Sequence, residues 1–215
     1  MDGNFIFEME NFIPKELCDD IIQRFENDPR KRQSYISSSF GPLVDLERRN
    51  SVGIYLKDMK NNECINHDLK CKLTNALNVY KMEFCNYFKR YNEDPKFINR
   101  VIFENRPLYF NDFIVQRVTP KSQFKWHTDE GKNVCHTCII YLNDLDIDDG
   151  GATEFACGRK VQPKAGKILL FPGGWSNVHR GCFVHKHKYM ITNITYLTEY
   201  KPCPFTVSVS GKHIQ

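Results

Sequence analysis

The pair His127 and Asp129 is the first place in the sequence where residue types and spacing suggest chemistry. On an extended segment, residues i and i+2 point to the same face, so one imidazole nitrogen and one carboxylate oxygen can reach a single ion. A second histidine would complete the two-histidine, one-carboxylate set that holds non-haem Fe(II) and leaves positions open for a cosubstrate and O2. Because a bare His-x-Asp pair is common by chance, the hypothesis depends on finding that histidine.

His179 is the second histidine that the sequence favours. It begins a strand-like run, and Lys188 follows it nine residues later. Lys188 and Thr192 have the same parity, so their side chains would lie on one face of a strand. A lysine directed into an otherwise apolar interior needs an anion, which a dicarboxylate cosubstrate would supply. His179 therefore completes the predicted iron triad with His127 and Asp129.

The other histidines are weaker candidates. His185 and His187 lie in a polar stretch that is typical of an exposed turn, and neither has a basic residue eight to ten positions downstream. His136 is predicted to pack inside the protein or to lie on its surface. His67 lies near a predicted helix start, and His213 is in the C-terminal tail.

Tyr141 allows two interpretations. It shares a predicted strand face with Thr137 and Ile139. Its side chain could belong to the core, with the hydroxyl bonded to backbone. It could instead be a second donor to the distal carboxylate of the cosubstrate.

The elements that would position these residues begin with helices. Apolar residues at helical spacing predict one helix at 14–25, where proline suits the first turn, and another at about 67–91. Residues 31–50 are rich in Ser, Arg and Gly and are predicted to form a loop. A strand is predicted at 51–56.

From about residue 108, short strands alternate with turns. The predicted strands are 112–118, 134–142, 166–171, 177–184 and 188–198. Strands at this spacing are typical of a sandwich or jelly roll. We therefore predict a single α+β domain over 1–215, in which a helical and mixed flank at 1–107 precedes a β core at 108–200.

Composition excludes several classes of protein. The chain has 215 residues, of which 41% are hydrophobic and 26% charged, as in ordinary globular proteins. A net charge of +4 does not by itself indicate nucleic-acid binding. Neither a secretory signal nor an apolar run of membrane-spanning length is visible. Nine scattered cysteines favour reduced thiols, so we expect a cytoplasmic or nuclear protein with no membrane partner.

Over residues 112–198 these motifs together resemble the prolyl 4-hydroxylase branch of the Fe(II)- and 2-oxoglutarate-dependent dioxygenases. The matching stretches keep the family's order and spacing: Phe113-Ile114-Val115-Gln116-Arg117, Trp126-His127-Thr128-Asp129, Tyr141-Leu142-Asn143-Asp144, Gly150-Gly151-Ala152-Thr153-Glu154-Phe155, Val161-Gln162-Pro163-Lys164-Ala165-Gly166-Lys167, Leu170-Phe171-Pro172, His179-Arg180-Gly181 and Lys188-Tyr189. A weaker match covers Asn11-Phe12-Ile13-Pro14 and Arg48-Arg49-Asn50-Ser51.

The resemblance implies a double-stranded β-helix, of the jelly-roll or cupin-like kind, with flanking helices. It implies Fe(II), 2-oxoglutarate and O2, with ascorbate as a supporting reductant. It also implies that Lys188 pairs with the C5 carboxylate of 2-oxoglutarate, assisted by Tyr141 and Thr192. The implied activity is hydroxylation of a C–H bond, with a prolyl residue of a protein or peptide as the leading substrate.

Three positions depart from the family pattern. Val118 stands where a tyrosine is common, Lys121-Ser122 replaces a usual glycine, and Phe124 stands at another common tyrosine position. Hydroxylation of another residue or of a free amino acid remains an alternative. An AlkB-like nucleic-acid demethylase is disfavoured because residues 188–196 lack arginine, and an inactive binding module is disfavoured by the complete triad. The oligomeric state is not indicated.

Overall fold

The computed structural model describes residues 4–38, 41–60, 62–91, 93–99, 108–129 and 134–197. The helices are α1 (Lys15–Asn27), α2 (Glu63–Phe88) and α3 (Pro95–Asn99). The strands are β1 (Phe7–Met9), β2 (Arg32–Gln33), β3 (Ile36–Ser38), β4 (Gly41–Leu43), β5 (Ser51–Tyr55), β6 (Leu108–Phe110), β7 (Ile114–Val118), β8 (Ser122–His127), β9 (Val134–Tyr141), β10 (Thr153–Phe155), β11 (Lys160–Val161), β12 (Ile168–Pro172), β13 (His179–Val184) and β14 (Lys188–Leu197).

Two antiparallel sheets hold most of these strands. The larger has the order β1-β12-β9-β14-β7-β5-β2, with β6 also paired to β14, and the smaller has the order β11-β10-β13-β8. Consecutive strands β13 and β14 therefore belong to different sheets. The helices before a β-rich second half confirm the predicted α+β arrangement.

Strand β9 shows how the core is divided. Cys138 and Ile140 pack into a cluster with the buried faces of α1 and α2, whereas Ile139 and Tyr141 pack into a second cluster with side chains of β10 and β12. The alternation follows from the two-residue period of a strand. Since both faces are buried, the second half of β9 is a continuous apolar run from Cys138 to Tyr141, and each large apolar side chain there contributes about 1.5–3 kcal/mol.

The two long helices lie close to their predicted positions. Helix α1 begins directly after Pro14, whose extended backbone suits a residue that precedes a first turn. Helix α2 begins at Glu63, four residues before the predicted start, because its first two residues, Glu63 and Cys64, are exposed and give no apolar signal. Its buried residues Leu69, Leu73 and Leu77 recur every four positions, which places one stripe against the large sheet.

The prediction of a loop at 31–50 is wrong in part. This segment contains β2, which pairs with β5, and a hairpin in which β3 pairs with β4. Strand β8 was also absent from the predicted strands. Its side chains are half-buried or exposed, so it lacks the apolar alternation that indicates a strand.

Helix α2, with 26 residues, is the longest helix of the described chain. Neither it nor the other described helices combine the length and the apolar character that crossing a membrane requires.

Candidate active site

The three predicted iron ligands meet where β8 and β13 pair. His127 is the last residue of β8, His179 is the first residue of β13, and the two stand opposite each other in the ladder. Asp129 lies two residues beyond the end of β8, so the His-x-Asp pair is only half within a strand. One ligand atom from each of the three residues lies within 4.8 Å of the other two.

Distances within this triad suit a single ion. Asp129 Oδ2 lies 3.5 Å from His179 Nε2, and Asp129 Oδ1 lies 3.9 Å from His127 Nε2. The imidazole ring centroids are 4.2 Å apart. Thr137 donates a hydrogen bond of 2.7 Å to Asp129 Oδ2, which fixes the carboxylate.

Backbone hydrogen bonds put both imidazoles in the tautomer that a metal needs. Nδ1 of His127 lies 2.8 Å from the Lys125 carbonyl, and Nδ1 of His179 lies 3.0 Å from the Asn177 carbonyl. A carbonyl only accepts, so each Nδ1 carries the proton and each Nε2 keeps its lone pair. Both lone pairs belong to the atoms that face Asp129, so the residues fit a divalent ion.

Burial helps to keep His127 neutral. Loss of solvent, followed by the neighbouring His179, lowers the pKa of His127 to about 4. At neutral pH the imidazole is therefore deprotonated, as a metal ligand must be.

A cavity of about 180 Å³ between the sheets is lined by all three triad residues. The alternate residues of β14 also line it: Lys188, Met190, Thr192 and Ile194. The predicted shared face of this strand is thereby confirmed. His179 comes from the smaller sheet and Lys188 from the larger, so the triad and the lysine meet across the space between the sheets.

Lys188 is a buried cation, with only 3% of its surface exposed. Its ammonium donates a hydrogen bond of 2.8 Å to the Gly151 carbonyl and lies 5.2 Å from the centre of the Tyr141 ring. Among the residues that the structure describes, no carboxylate lies within ion-pair distance of it. Burial lowers the pKa of Lys188 to about 8. An ammonium that is buried and has no carboxylate partner among the described residues fits the distal carboxylate of 2-oxoglutarate.

Tyr141 lies behind the cavity. It is fully buried, and its hydroxyl lies 2.7 Å from the hydroxyl of Thr153, which does line the cavity. The hydroxyl of Tyr141 is thus bonded to a side chain rather than to backbone. Thr153 is the group that the structure places between Tyr141 and any occupant of the cavity.

Thr192 is oriented by a chain of hydrogen bonds. Arg49 Nη2 donates to Gln116 Oε1 at 2.5 Å, and Gln116 Nε2 donates to Thr192 Oγ1 at 2.6 Å. Because the Gln116 amide is fixed in this sense, Thr192 accepts from it and its own proton is available to the cavity.

Among the cavity residues that were not predicted as site residues, four have polar side chains that hydrogen-bond to a predicted site residue or belong to the chain that orients Thr192: Arg49, Gln116, Thr137 and Thr153. All four lie in stretches that the sequence analysis had already singled out. What was missing was the sheet pairing that brings residues 49 and 116 together. The Phe124 ring also contacts the site, stacked 3.6 Å from the His127 ring.

The competing histidines lie elsewhere. His136 is buried, and its Nδ1 bonds to the Thr195 hydroxyl. His67, His185 and His187 are exposed, and His213 lies outside the described residues.

Comparison with known proteins independently supports a relation to the 2-oxoglutarate oxygenases. Residues 113–196 match the family described as the 2OG-Fe(II) oxygenase superfamily. None of the curated proteins matches this sequence.

Solved structures of three prolyl hydroxylases resemble most of the chain, from 90% to 92% of it, at low identity. A viral collagen prolyl hydroxylase from Paramecium bursaria Chlorella virus-1, solved with 2-oxoglutarate, has 18% identity and a TM-score of 0.62, over 92% of this chain and 98% of that one. A Pseudomonas putida prolyl-4-hydroxylase has 16% identity and a TM-score of 0.67, over 90% and 94%. A Trichoplax adhaerens prolyl hydroxylase, in complex with a hypoxia inducible factor peptide fragment, has 16% identity and a TM-score of 0.65, over 90% and 84%.

These structures share the fold, which confirms the predicted double-stranded β-helix with flanking helices. The family match covers β7 to β14, the part of the chain that carries both the triad and Lys188. Residues 113–196 therefore match the 2OG-Fe(II) oxygenase superfamily, and the triad within them is compatible with iron, which together support a dioxygenase that uses Fe(II), 2-oxoglutarate and O2.

Proposed function

We propose that this oxygenase hydroxylates a prolyl residue of a protein or peptide, with His127, Asp129 and His179 as the iron ligands. The observation that carries the proposal is the meeting, in one cavity, of a metal-binding triad and a buried ammonium with no carboxylate partner among the described residues. These are the two features that a metal-chelating dicarboxylate needs at its two ends.

Each residue has a definite task in this proposal. When bound, the iron and 2-oxoglutarate supply the oxidation of a C–H bond by O2, with release of succinate and CO2. His127 and His179 present neutral Nε2 atoms because backbone carbonyls hold their Nδ1 protons. Thr137 orients Asp129, and Lys188 neutralises the distal carboxylate of the cosubstrate.

The hydroxyl groups complete the cosubstrate end. Thr192 donates its free proton towards the distal carboxylate, because Gln116 already donates to its oxygen. Tyr141 acts through Thr153 and through its ring beside the Lys188 ammonium. Apolar side chains that line the cavity reduce the access of water to the Lys188 ammonium and the carboxylate paired with it: Ile114, Val118, Ile139 and Met190.

The choice of a prolyl substrate is supported by the fold relatives. One is a collagen prolyl hydroxylase and another holds a peptide of hypoxia inducible factor. Carried over to this chain, these suggest a protein or peptide that contains proline. A nucleic-acid substrate is less well supported, because residues 188–196 contain a lysine but no arginine.

A cytoplasmic or nuclear location is also part of the proposal. It is supported by the nine cysteines of the sequence, since no disulfide joins any two of the described ones.

The test is to incubate the iron-loaded protein with 2-oxoglutarate, ascorbate and a panel of proline-rich peptides, and to follow both succinate and peptide mass. We expect one or more peptides to gain the mass of an oxygen atom on proline, in step with succinate. Hydroxylation on another residue would identify a different residue specificity. Activity on methylated nucleic acid with no peptide product would overturn the proposed substrate class.

A further inference from the structure

The cavity contains a second cation, the Arg49 guanidinium, which holds the Gln116 amide but is given no charged partner by the proposed chemistry. Arg49 lies just before β5 and is half-buried. Its three hydrogen bonds go to neutral acceptors: Gln116 Oε1 at 2.5 Å, Ser51 Oγ at 3.2 Å and the Tyr35 carbonyl at 3.2 Å. None of these compensates the positive charge.

The guanidinium lies close to the reaction centre. Its central carbon is 4.8 Å from the centre of the Phe124 ring, and the same ring stacks on the imidazole of His127. A group bound to Arg49 would therefore lie near the proposed iron ligand His127, since the Phe124 ring contacts both residues.

The charges around the metal leave Arg49 without a partner. Of the described carboxylates, none forms an ion pair with it, and Asp129 is the one whose field favours its charged form. In the proposed complex Asp129 binds the metal. The dication, the Asp129 carboxylate, the two carboxylates of 2-oxoglutarate and the Lys188 ammonium together carry no net charge. The Arg49 charge is then uncompensated, and a partly desolvated cation favours an anionic ligand.

A groove leads from this point to the surface. It has a volume of about 690 Å³ and shares Arg49, Ile114 and Gln116 with the active-site cavity. Two exposed aromatic side chains, Tyr35 and Tyr55, line its outer part. A chain lying in this groove would pass Arg49 before it reached the metal.

The groove has an excess of positive charge. Of its other two arginines, Arg30 is paired with Asp28, whereas Arg32 is exposed and, among the described residues, forms no ion pair with a carboxylate. Asp58 is the one carboxylate that lines it. This balance suits an acidic ligand.

We propose that Arg49 recognises a carboxylate of the substrate, so that the preferred substrate is an acidic peptide with Asp or Glu beside the hydroxylated residue. Arginine has five N–H donors, and three are used here, which leaves one on each terminal nitrogen for a bidentate contact. The inference rests on the proposed function, since it takes the peptide to lie against the metal.

The test compares two peptides on the full chain loaded with Mn(II) and 2-oxoglutarate without O2, so that binding is measured without turnover. The probes are an N-acetylated alternating Pro-Glu decapeptide and its Pro-Gln counterpart, titrated by calorimetry into wild type, Arg49→Gln, Arg49→Lys and Arg32→Gln. Thermal melting of each variant establishes that it is folded.

We expect wild type to bind the Pro-Glu peptide about tenfold or more tighter than the Pro-Gln peptide, as charge-assisted hydrogen bonds give. Arg49→Gln should bring the ratio close to one. Arg49→Lys should keep part of the preference for the Pro-Glu peptide, because lysine retains the positive charge but lacks the planar guanidinium that makes a bidentate contact. Arg32→Gln, at an exposed site, should change the ratio by less than about fivefold.

Several results would overturn the inference: a ratio near one in wild type, a ratio unchanged in Arg49→Gln, an equal loss in Arg32→Gln, or no binding of the Pro-Glu peptide. Titration of 2-oxoglutarate into the metal-loaded wild type distinguishes a failure of carboxylate recognition by Arg49 from a failure of the proposed function. If 2-oxoglutarate binds and the ratio is one, only carboxylate recognition fails. If 2-oxoglutarate does not bind, the proposed function itself fails.

Discussion

Replacing Lys188 by methionine should weaken 2-oxoglutarate binding and stabilise the empty protein at the same time. The side chain is 3% exposed, and a methionine has a similar length and no charge. Losing one partner of a desolvated charge pair costs about 2–5 kcal/mol. The dissociation constant of 2-oxoglutarate should therefore rise about 30-fold or more. Metal affinity should change little, because Lys188 does not contact the triad.

The opposite effect on stability follows from the isolated charge. Burial lowers the pKa of Lys188 from an ordinary value near 10.5 to about 8, which corresponds to a cost on the order of 3 kcal/mol for the charged form in the folded state. Between these values the unfolded chain binds more protons than the folded one, so stability rises with pH from about 8 to about 10.5. Below pH 8 the full cost is present. Lys188→Met removes the cost and with it this rise.

Two measurements check the reasoning. Calorimetry with Mn(II) in place of iron gives the affinity for 2-oxoglutarate, and urea unfolding of the metal-free protein at pH 7 and pH 10 gives the stability. Lys186→Met is a matched control, since Lys186 is exposed and pairs with Asp149 on the surface. An unchanged 2-oxoglutarate affinity in Lys188→Met would refute the anchor. A wild type less stable than the variant by the same amount at both pH values would refute the pKa argument.

Three further predictions concern the groups around the triad. Asp129→Ala should abolish succinate formation, and full turnover in that variant would show that the triad is misassigned. Thr137→Val removes the hydrogen bond to Asp129 Oδ2, so metal affinity should fall about tenfold or more in a chelator competition assay, as for other residues that orient a metal ligand. Gln116→Leu should raise the KM for 2-oxoglutarate with a smaller effect on kcat, because Thr192 loses the amide that orients it; an unchanged KM would mean that Thr192 does not need this orientation.

That His127, Asp129 and His179 lie together could be predicted from the sequence, because these residues carry local signals. His127 and Asp129 are two residues apart, and Lys188 separates His179 from the histidines of the exposed turn. The roles of Gln116 and Arg49 could not be predicted in this way. They depend on the pairing of β5 with β7 and of β7 with β14, which joins positions 49, 116 and 192 into one hydrogen-bonded chain.

The errors in the fold prediction have a common physical origin. The side chains of β8 are half-buried or exposed, as are those of Ile36, Pro42 and Leu43 in the hairpin of β3 and β4, so backbone pairing forms these strands without an apolar period. Strand β9 was predicted correctly because both of its faces are buried. Burial leaves a pattern in the sequence, whereas pairing at an edge or beside a site does not.

The division of the site between two sheets explains why the reaction class is easier to identify than the substrate. The proposed metal end belongs to the smaller sheet and the cation for the cosubstrate to the larger sheet, so a dicarboxylate would be held between them. Both ends are formed by strands within the matched segment, 113–196. Arg49 and the groove residues precede that segment, on elements that carry little apolar pattern. If Arg49 recognises the substrate as proposed, the substrate is selected by the part of the chain where sequence patterns are weakest, and binding measurements on Arg49 variants address that part directly.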